Sequence, residues 1–209
     1  MFEARISQGL EALSIPFADD QVARLADYLR LLQKWNKIYN LTAIDDERKM
    51  VAYHLLDSLA IHRAIPEQAR CLDVGTGAGL PGIPLAIMLP QTNWVLLDSN
   101  GKKTRFVQQA IAGCGLGNVK VVQARIQDYD ADSSFDVIVS RAFASLLDFM
   151  SSVEHLWQVN TRLITMKTEL SESELSAVDK QGLEFNIAPL QVPGIAEKRS
   201  LVSIQRKEL

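Results

Sequence analysis

A glycine-rich segment is the part of this sequence whose residue types and spacing point most directly to chemistry. Gly75, Gly77 and Gly79 follow a short apolar run that contains Asp73. Glycines between a strand and a helix let the backbone turn tightly and approach a ligand without a Cβ clash. Asp98 stands 23 residues beyond Gly75, at the end of the next apolar run, where a carboxylate can accept both hydroxyls of a ribose. The pattern therefore predicts a nucleoside-containing cofactor.

The spacing within this segment favours S-adenosylmethionine over a dinucleotide. The dinucleotide fingerprint GxGxxG requires glycine at its sixth position, and that position is Leu80. Asp73 would repel a pyrophosphate and attract a ligand that carries an ammonium or sulfonium group. We therefore expect the methionine part of the cofactor near Asp73 and the glycines, and its ribose at Asp98. The adenine is expected after the third strand, near Ile126. NAD-dependent oxidoreduction is a disfavoured alternative.

Alternating strands and helices must position these residues. After Pro66, short apolar runs with β-branched residues alternate with helical patterns, which predicts an α/β fold with a doubly wound, mostly parallel sheet. Ligands bind such sheets beyond the carboxyl ends of the strands. We predict strands at 71–74, 94–97, 119–123, 135–139, 162–166, 184–188 and 201–205, and helices at 81–89, 102–113, 146–157 and 171–181.

The first 66 residues have a helical pattern instead. Apolar residues between 22 and 32 repeat at the spacing of one helix face, and a second helix is predicted over 47–63. We therefore expect an N-terminal helical extension, residues 1–66, followed by a Rossmann-like domain, residues 67–209.

Several other residues have a structural interpretation. His54 is predicted to be buried and hydrogen-bonded rather than catalytic. Trp35 and Tyr39, four residues apart, are predicted to make core contacts against the sheet domain. Cys71 and Cys114 lack the spacing of metal ligands, so we expect buried, reduced thiols and no metal site.

The composition excludes several classes of protein. The chain has 209 residues, of which 47% are hydrophobic and 22% charged, as in ordinary globular proteins. Its net charge of -3 rules out a strongly basic coat for bare nucleic acid. The longest apolar stretch, 80–89, is too short and too broken by Pro and Gly to span a bilayer. We expect a cytoplasmic protein with no membrane contact.

Five separate segments form a recognisable set: DVGTGAGLPGIPLAI (73–87), LLDSNGKKTRF (96–106), SRAFASL (140–146), NKIYNLT (36–42) and HLLDSL (54–59). Together they resemble the bacterial RsmG family, also called GidB. The resemblance extends from about residue 28 to the end of the chain. It implies a class I S-adenosylmethionine-dependent methyltransferase that acts on N7 of guanine 527 in the 530 loop of 16S rRNA. The partner would be 16S rRNA within a small-subunit particle or an assembly intermediate, and the enzyme a monomer.

The same resemblance, carried over position by position, implies a set of site residues. S-adenosylmethionine would be bound by Gly75, Gly77, Gly79, Leu80, Asp98, Ile126, Gln127 and Arg141. Residues that match polar positions of the family and are expected to be supporting or RNA-facing are Asn40, His54, Arg125 and Arg199. The chain departs from the family where Gln127 replaces a common Glu, where Lys167-Thr168 replaces Lys-Gly, and where Arg199-Ser200 replaces Arg-His.

The residues after the fourth strand are compatible with methylation of guanine N7. This nitrogen is an unprotonated acceptor, so it needs alignment with the methyl donor and no general base. Methylation of cytosine C5 would need a cysteine nucleophile, and the chain has Ser140-Arg141 at this point. As the expected catalytic residue, Arg141 would orient the methionine end of the cofactor or contact the target nucleotide. The alternative is an ion pair with Asp73 or another acid and no substrate contact. Phe143 can stack on a base or belong to the core.

The residues are also compatible with two alternative functions. One is a methyltransferase for a small molecule or a protein, and the other is a ribosome-associated RNA-binding protein that uses the cofactor as a sensor ligand. A measurement of methyl transfer would distinguish a methyltransferase from an RNA-binding protein that only binds the cofactor. Because the net charge is negative, we expect few phosphate contacts, recognition of RNA shape, and weak binding of free short RNA.

Overall fold

A seven-stranded sheet forms the centre of the computed structural model, which describes residues 2–141, 143, 145–179 and 182–207. The strand order is β3-β2-β1-β4-β5-β7-β6. Strands β1 to β5 are parallel, and β7 runs antiparallel to both β5 and β6. The strands are β1 Arg70–Val74, β2 Asn93–Asp98, β3 Val119–Gln123, β4 Val137–Ser140, β5 Arg162–Lys167, β6 Glu184–Leu190 and β7 Arg199–Gln205. The predicted α/β fold with a mostly parallel sheet is confirmed.

Helices precede the sheet and connect its strands. They are α1 Phe2–Ala12, α2 Asp19–Tyr39, α3 Glu47–Lys49, a π-helical stretch Met50–Leu56, α4 Asp57–Leu59, α5 Gly82–Met88, α6 Gly101–Gly113, α7 Leu146–Val153 and α8 Glu172–Asp179. Met50 and Asp57 both have right-handed helical backbone angles. The stretches between Glu47 and Leu59 therefore form one continuous helix, called the 47–59 helix below. Single 3₁₀ turns occur at His62–Ala64, Ile126–Asp128 and Glu154–Leu156.

Helix ends differ most from the predictions. The predicted helix over 47–63 ends at Leu59. The predicted helix over 146–157 ends at Val153 and continues as a 3₁₀ turn. The helix predicted over 171–181 is observed as α8, Glu172–Asp179. Its last two predicted residues, 180 and 181, lie outside the described part of the chain. Helix α1 was not predicted, and its buried residues Phe2, Ile6 and Leu10 repeat every fourth position along one face.

Two hydrophobic clusters cover the two faces of the sheet. The first contains residues from α1, α2 and the 47–59 helix together with Trp94 of β2 and Phe106 of α6. The second contains Leu72 and Val74 of β1 together with residues of α7. Alternate residues of β1 face opposite clusters, since Cys71 belongs to the first, as expected of a strand buried on both faces.

Most of the expected core contacts occur. The apolar residues of the 22–32 stripe are buried, and both cysteines are buried, free thiols. The Trp35 ring packs against Phe106, with centroids 5.8 Å apart. The prediction for Tyr39 was wrong, because this side chain is 41% exposed. It is the last residue of α2, and among the described aromatic rings its ring contacts only Trp35, with centroids 5.1 Å apart.

Among the described residues, no helix is long and apolar enough to cross a membrane.

Candidate cofactor site at the carboxyl ends of the strands

The glycine loop leaves β1 in a backbone conformation that only glycine adopts easily. Gly75, Gly77 and Gly79 have φ angles of 70°, 59° and 85°, in the left-handed region. The backbone N–H groups of Gly75 and Thr76 donate to the carbonyl of Leu97 in β2, at 2.8 and 3.0 Å. These bonds fasten the loop to the neighbouring strand, so its backbone groups are held at the edge of the sheet where ligands bind.

Asp73 lies fully buried beneath this loop. Its Oδ2 accepts hydrogen bonds from the Thr76 hydroxyl at 2.7 Å and from the Gly82 backbone N–H at 2.9 Å. Its Oδ1 is buried and has no hydrogen-bond partner among the described residues. Burial raises the pKa of Asp73 to about 6, although the two hydrogen bonds and Arg141 act in the other direction. A buried acceptor without a partner is costly, and a cationic ligand would satisfy it.

Asp98 ends β2 with both carboxylate oxygens already in use. Oδ2 accepts a hydrogen bond from the backbone N–H of Gly77 at 2.9 Å, and Oδ1 accepts one from Asn100 at 2.8 Å. Lys103 is more distant, with its Nζ 3.9 Å from Oδ2. A carboxylate offers about four acceptor positions. Each oxygen of Asp98 therefore keeps capacity for a further donor such as a ribose hydroxyl.

A cleft of about 390 Å³ opens beside Asp98. Its lining includes Gly75, Asp98, Arg125, Ile126, Gln127 and Phe143. The structure thus brings together four members of the expected cofactor set. A larger cleft of about 640 Å³ lies at the amino end of β5, at the opposite edge of the sheet, where ligands of such folds do not bind.

Three other members of the expected set lie in the loop itself. Gly77, Gly79 and Leu80 do not line this cleft, and Leu80 packs partly against the first hydrophobic cluster. Phe143 lines the cleft while its ring stacks on Phe149 of α7, with centroids 5.4 Å apart. Phe143 therefore lines the cleft and also packs against the second hydrophobic cluster.

Arg141 follows β4 and is held by the 47–59 helix. Its Nη1 donates to the Ser58 hydroxyl at 3.0 Å, and its Nη2 donates to the Tyr53 carbonyl at 3.3 Å. Nη2 also lies 3.4 Å from Oδ2 of Asp57, and the Arg141 side chain is 26% exposed. The acid that pairs with Arg141 is Asp57 and not Asp73. Arg141 does not line the 390 Å³ cleft.

His54 is buried and hydrogen-bonded, as predicted. It is 5% exposed, and its Nε2 lies 3.0 Å from the Thr42 hydroxyl. Its Nδ1 is buried without a hydrogen-bond partner among the described residues. Burial, with a smaller contribution from Arg141, lowers the pKa of His54 to about 4. The imidazole is therefore neutral at pH 7.

The other expected polar residues lie at different depths. Asn40 is exposed at the end of α2, in the left-handed conformation with φ of 50°. Arg125 is exposed and lines the cleft. Arg199, whose side chain is 12% exposed, donates from Nε to Oδ1 of Asp57 at 3.2 Å. Asp57 was not among the predicted site residues, although it lies in the HLLDSL segment.

No group of three or more His, Cys, Asp or Glu residues in the described part of the chain could hold a metal ion.

The sequence matches a known family model over most of its length. The model is GidB, described as rRNA small subunit methyltransferase G, and it matches residues 21–202. The chain belongs to the GidB family. This GidB-family chain is 46% identical over 200 residues to the ribosomal RNA small subunit methyltransferase G of Nitrosococcus oceani, which covers 96% of this chain and 93% of the relative. It is 43% identical over 206 residues to the protein of that name from Hydrogenovibrio crunogenus, at 99% and 95% coverage.

Solved structures show the fold class of this GidB-family chain. A SAM-dependent methyltransferase from Aquifex aeolicus matches with a TM-score of 0.61 at 17% identity, over 80% of this chain and 97% of that one. Precorrin-6y C5,15-methyltransferase from Geobacter metallireducens matches with a TM-score of 0.56 at 13% identity, over 81% and 92%. The fold is the Rossmann-like class I methyltransferase fold, and the cofactor that fold and family imply is S-adenosylmethionine.

The residues of the loop fit this cofactor. Asp73 has a buried oxygen without a partner, which suits a cationic group. Asp98 keeps acceptor capacity beside the cleft. A pyrophosphate would instead bring further negative charge against both carboxylates. The site therefore favours S-adenosylmethionine over NAD.

Proposed function

We propose that this GidB-family chain transfers a methyl group from S-adenosylmethionine to N7 of guanine 527 in the 530 loop of 16S rRNA. The observation that carries the proposal is the family match over residues 21–202. The proposal includes a cytoplasmic monomer that acts on a small-subunit particle or assembly intermediate. It also includes a division into a helical extension, 1–66, and a methyltransferase domain, 67–209.

The proposed cofactor residues have distinct roles. Backbone groups of Gly75, Gly77, Gly79 and Leu80 bind the methionine part, and Asp98 accepts the ribose hydroxyls. Ile126 packs against the adenine, and Gln127 lies at its edge, where its amide takes the place of the family's common carboxylate. Bound S-adenosylmethionine supplies an electrophilic methyl group on its sulfonium.

The proposed chemistry needs little from the protein besides positioning. Guanine N7 carries a lone pair and no proton, so orientation of the two reactants provides most of the catalysis. A general base is not required, and the neutral His54 beside Arg141 is buried against Thr42. Arg141 is the proposed catalytic residue, because a fixed guanidinium at the end of β4 can orient the methionine carboxylate or the target nucleotide.

The proposed RNA contacts are few. Asn40 is exposed at the end of α2, Arg125 is exposed and lines the cleft, and both can face the RNA. Arg199 and His54 are mostly buried and support the site from beneath. A chain with net charge of -3 depends on the shape of a folded rRNA region, since affinity from phosphate contacts alone grows with their number.

Mass spectrometry of 16S rRNA tests the proposed reaction. We expect N7-methylguanosine at the 530 loop to disappear when the gene is deleted and to return with the wild-type gene. Asp98→Ala should fail to restore it, whereas Asp130→Ala, which changes an exposed acid, should restore it fully. Methylation that persists in the deletion strain would refute the reaction. Full restoration by Asp98→Ala would refute only the ribose assignment.

A further inference from the structure

Asp57 is a buried carboxylate that faces two arginines from distant parts of the chain. It is 4% exposed. Its Oδ2 lies 3.4 Å from Nη2 of Arg141, and its Oδ1 accepts from Nε of Arg199 at 3.2 Å. Each oxygen thus serves one guanidinium, and the three side chains join the 47–59 helix to the end of β4 and the start of β7.

Asp57 differs from the other groups that hold Arg141. The Ser58 hydroxyl and the Tyr53 carbonyl are neutral acceptors, whereas Asp57 is the one ion-pair partner of Arg141 among the described residues. A partly buried ion pair is screened less by salt than an exposed one. Since the Asp57 side chain is 6% exposed and that of Arg141 is 26% exposed, their attraction adds to the two neutral hydrogen bonds that hold the guanidinium.

We propose that Asp57 is a positioning residue for methyl transfer, which acts by holding the Arg141 guanidinium at the carboxyl end of β4. This inference rests on the function proposed above. Asp57 pairs with both arginines, whereas the Glu197 carboxylate interacts electrostatically with Arg199.

A double-mutant cycle tests this inference. Asp57→Asn keeps the size of the side chain and removes its charge, and Arg141→Ala removes the group it holds. The assay is methyl transfer to small ribosomal subunits isolated from cells that lack the gene. We expect each single variant to lower kcat about tenfold, which corresponds to about 1.4 kcal/mol. If Asp57 acts through Arg141, the double variant is no slower than Arg141→Ala.

A matched control separates positioning of Arg141 from anchoring of the helix. The Tyr53 hydroxyl donates to the Glu197 carboxylate at 3.0 and 3.2 Å, which joins the same helix to the segment just before β7. Glu197→Ala removes this link and changes none of the groups that contact Arg141 directly, which are Asp57, the Ser58 hydroxyl and the Tyr53 carbonyl. We expect wild-type kcat for Glu197→Ala. A loss as large as that of Asp57→Asn would overturn the inference.

If Asp57→Asn does not fold, Ser58→Ala allows a second test of the same inference. It removes the hydroxyl that accepts from Arg141 and leaves both charges in place. We expect a smaller loss of kcat that vanishes in the Arg141→Ala background. Multiplicative losses in these cycles, or wild-type kcat for Asp57→Asn, would overturn the inference. Absence of methyl transfer by the wild-type chain would instead refute the proposed function.

Discussion

The Oδ2 atom of Asp98 accepts a hydrogen bond of 2.9 Å from the backbone N–H of Gly77. Asp98 is the last residue of β2 and Gly77 lies in the loop after β1, and these two strands are parallel neighbours. The acid of one motif and the glycines of the other are therefore one hydrogen-bonded unit. A change at Asp98 therefore removes the proposed ribose acceptor and also disturbs the glycine loop, which is the proposed binding segment for the methionine part of the cofactor.

Asp98→Ala is expected to weaken cofactor binding. The variant loses a charged acceptor, a type of hydrogen bond worth about 1.5–3 kcal/mol, so the Kd for S-adenosylhomocysteine should rise at least about tenfold. Isothermal titration calorimetry measures this change, with the exposed Asp130→Ala as the control. Equal affinities of Asp98→Ala and the wild type would mean that the ribose lies elsewhere.

Gly82→Ala is expected to destabilise the fold. A Cβ at Gly82 would lie 2.2 Å from Cδ2 of Leu96 and 2.9 Å from Oδ2 of Asp73, and overpacking of this kind costs about 1–3 kcal/mol. A Cβ at Gly117 meets nothing within 4 Å, so Gly117→Ala should stay within about 0.5 kcal/mol of the wild type. Urea unfolding of the two variants gives the comparison. Equal free energies of unfolding for the two variants would contradict the prediction, because the backbone at Gly82 would then accommodate the added Cβ without cost.

His54 is expected to make the folded state sensitive to acid. Its folded pKa of about 4 lies below the ordinary value of 6.5, so the unfolded state binds the proton more readily. The stability that His54 contributes is complete above pH 6.5 and decreases as the pH falls towards 4. The full loss is roughly 3 kcal/mol, at 1.36 kcal/mol for each pKa unit.

Comparison with His54→Gln isolates this effect. Asp73 acts in the opposite direction, because its pKa is raised from 3.8 to about 6 and stability therefore falls as the pH rises from about 4 to 6. The wild-type curve alone mixes the two residues. The difference in unfolding free energy between wild type and His54→Gln, measured at pH 7.5 and pH 5, should shrink at the lower pH. An NMR titration of His54 centred near pH 6.5 would contradict the prediction.

Trp35 and Tyr39 are expected to differ in their contribution to stability. Trp35 packs on Phe106 of the sheet domain, and truncation of a half-buried tryptophan should cost about 2 kcal/mol or more. Tyr39 is 41% exposed at the end of α2, so Tyr39→Ala should cost less than about 1 kcal/mol. Thermal unfolding of both variants tests the order. A larger loss for Tyr39→Ala would restore the original prediction that Tyr39 is a core residue.

The parts of the site that could be predicted from the sequence are local in the chain. The glycine loop and Asp98 each follow directly from a strand, and parallel strands end at one edge. Asp57 could not be predicted in this way, because its partners Arg141 and Arg199 lie more than 80 residues away and meet it only after β4 and β7 have taken their places. The exposure of Tyr39 depends on where α2 ends relative to α6, and helix ends are set by tertiary packing more than by propensity.

The first hydrophobic cluster has a consequence for the order of folding. Ile6, Leu29 and Leu55 of the amino-terminal helices share it with Trp94 and Phe106, so neither part can complete its core alone. A polypeptide that began at residue 67 would expose the apolar side of α5 and α6 to water and is expected to aggregate. During synthesis, the helices that leave the ribosome first can pack on one another, but the parts of their apolar faces that meet β2 and α6 have no cover until those elements have followed.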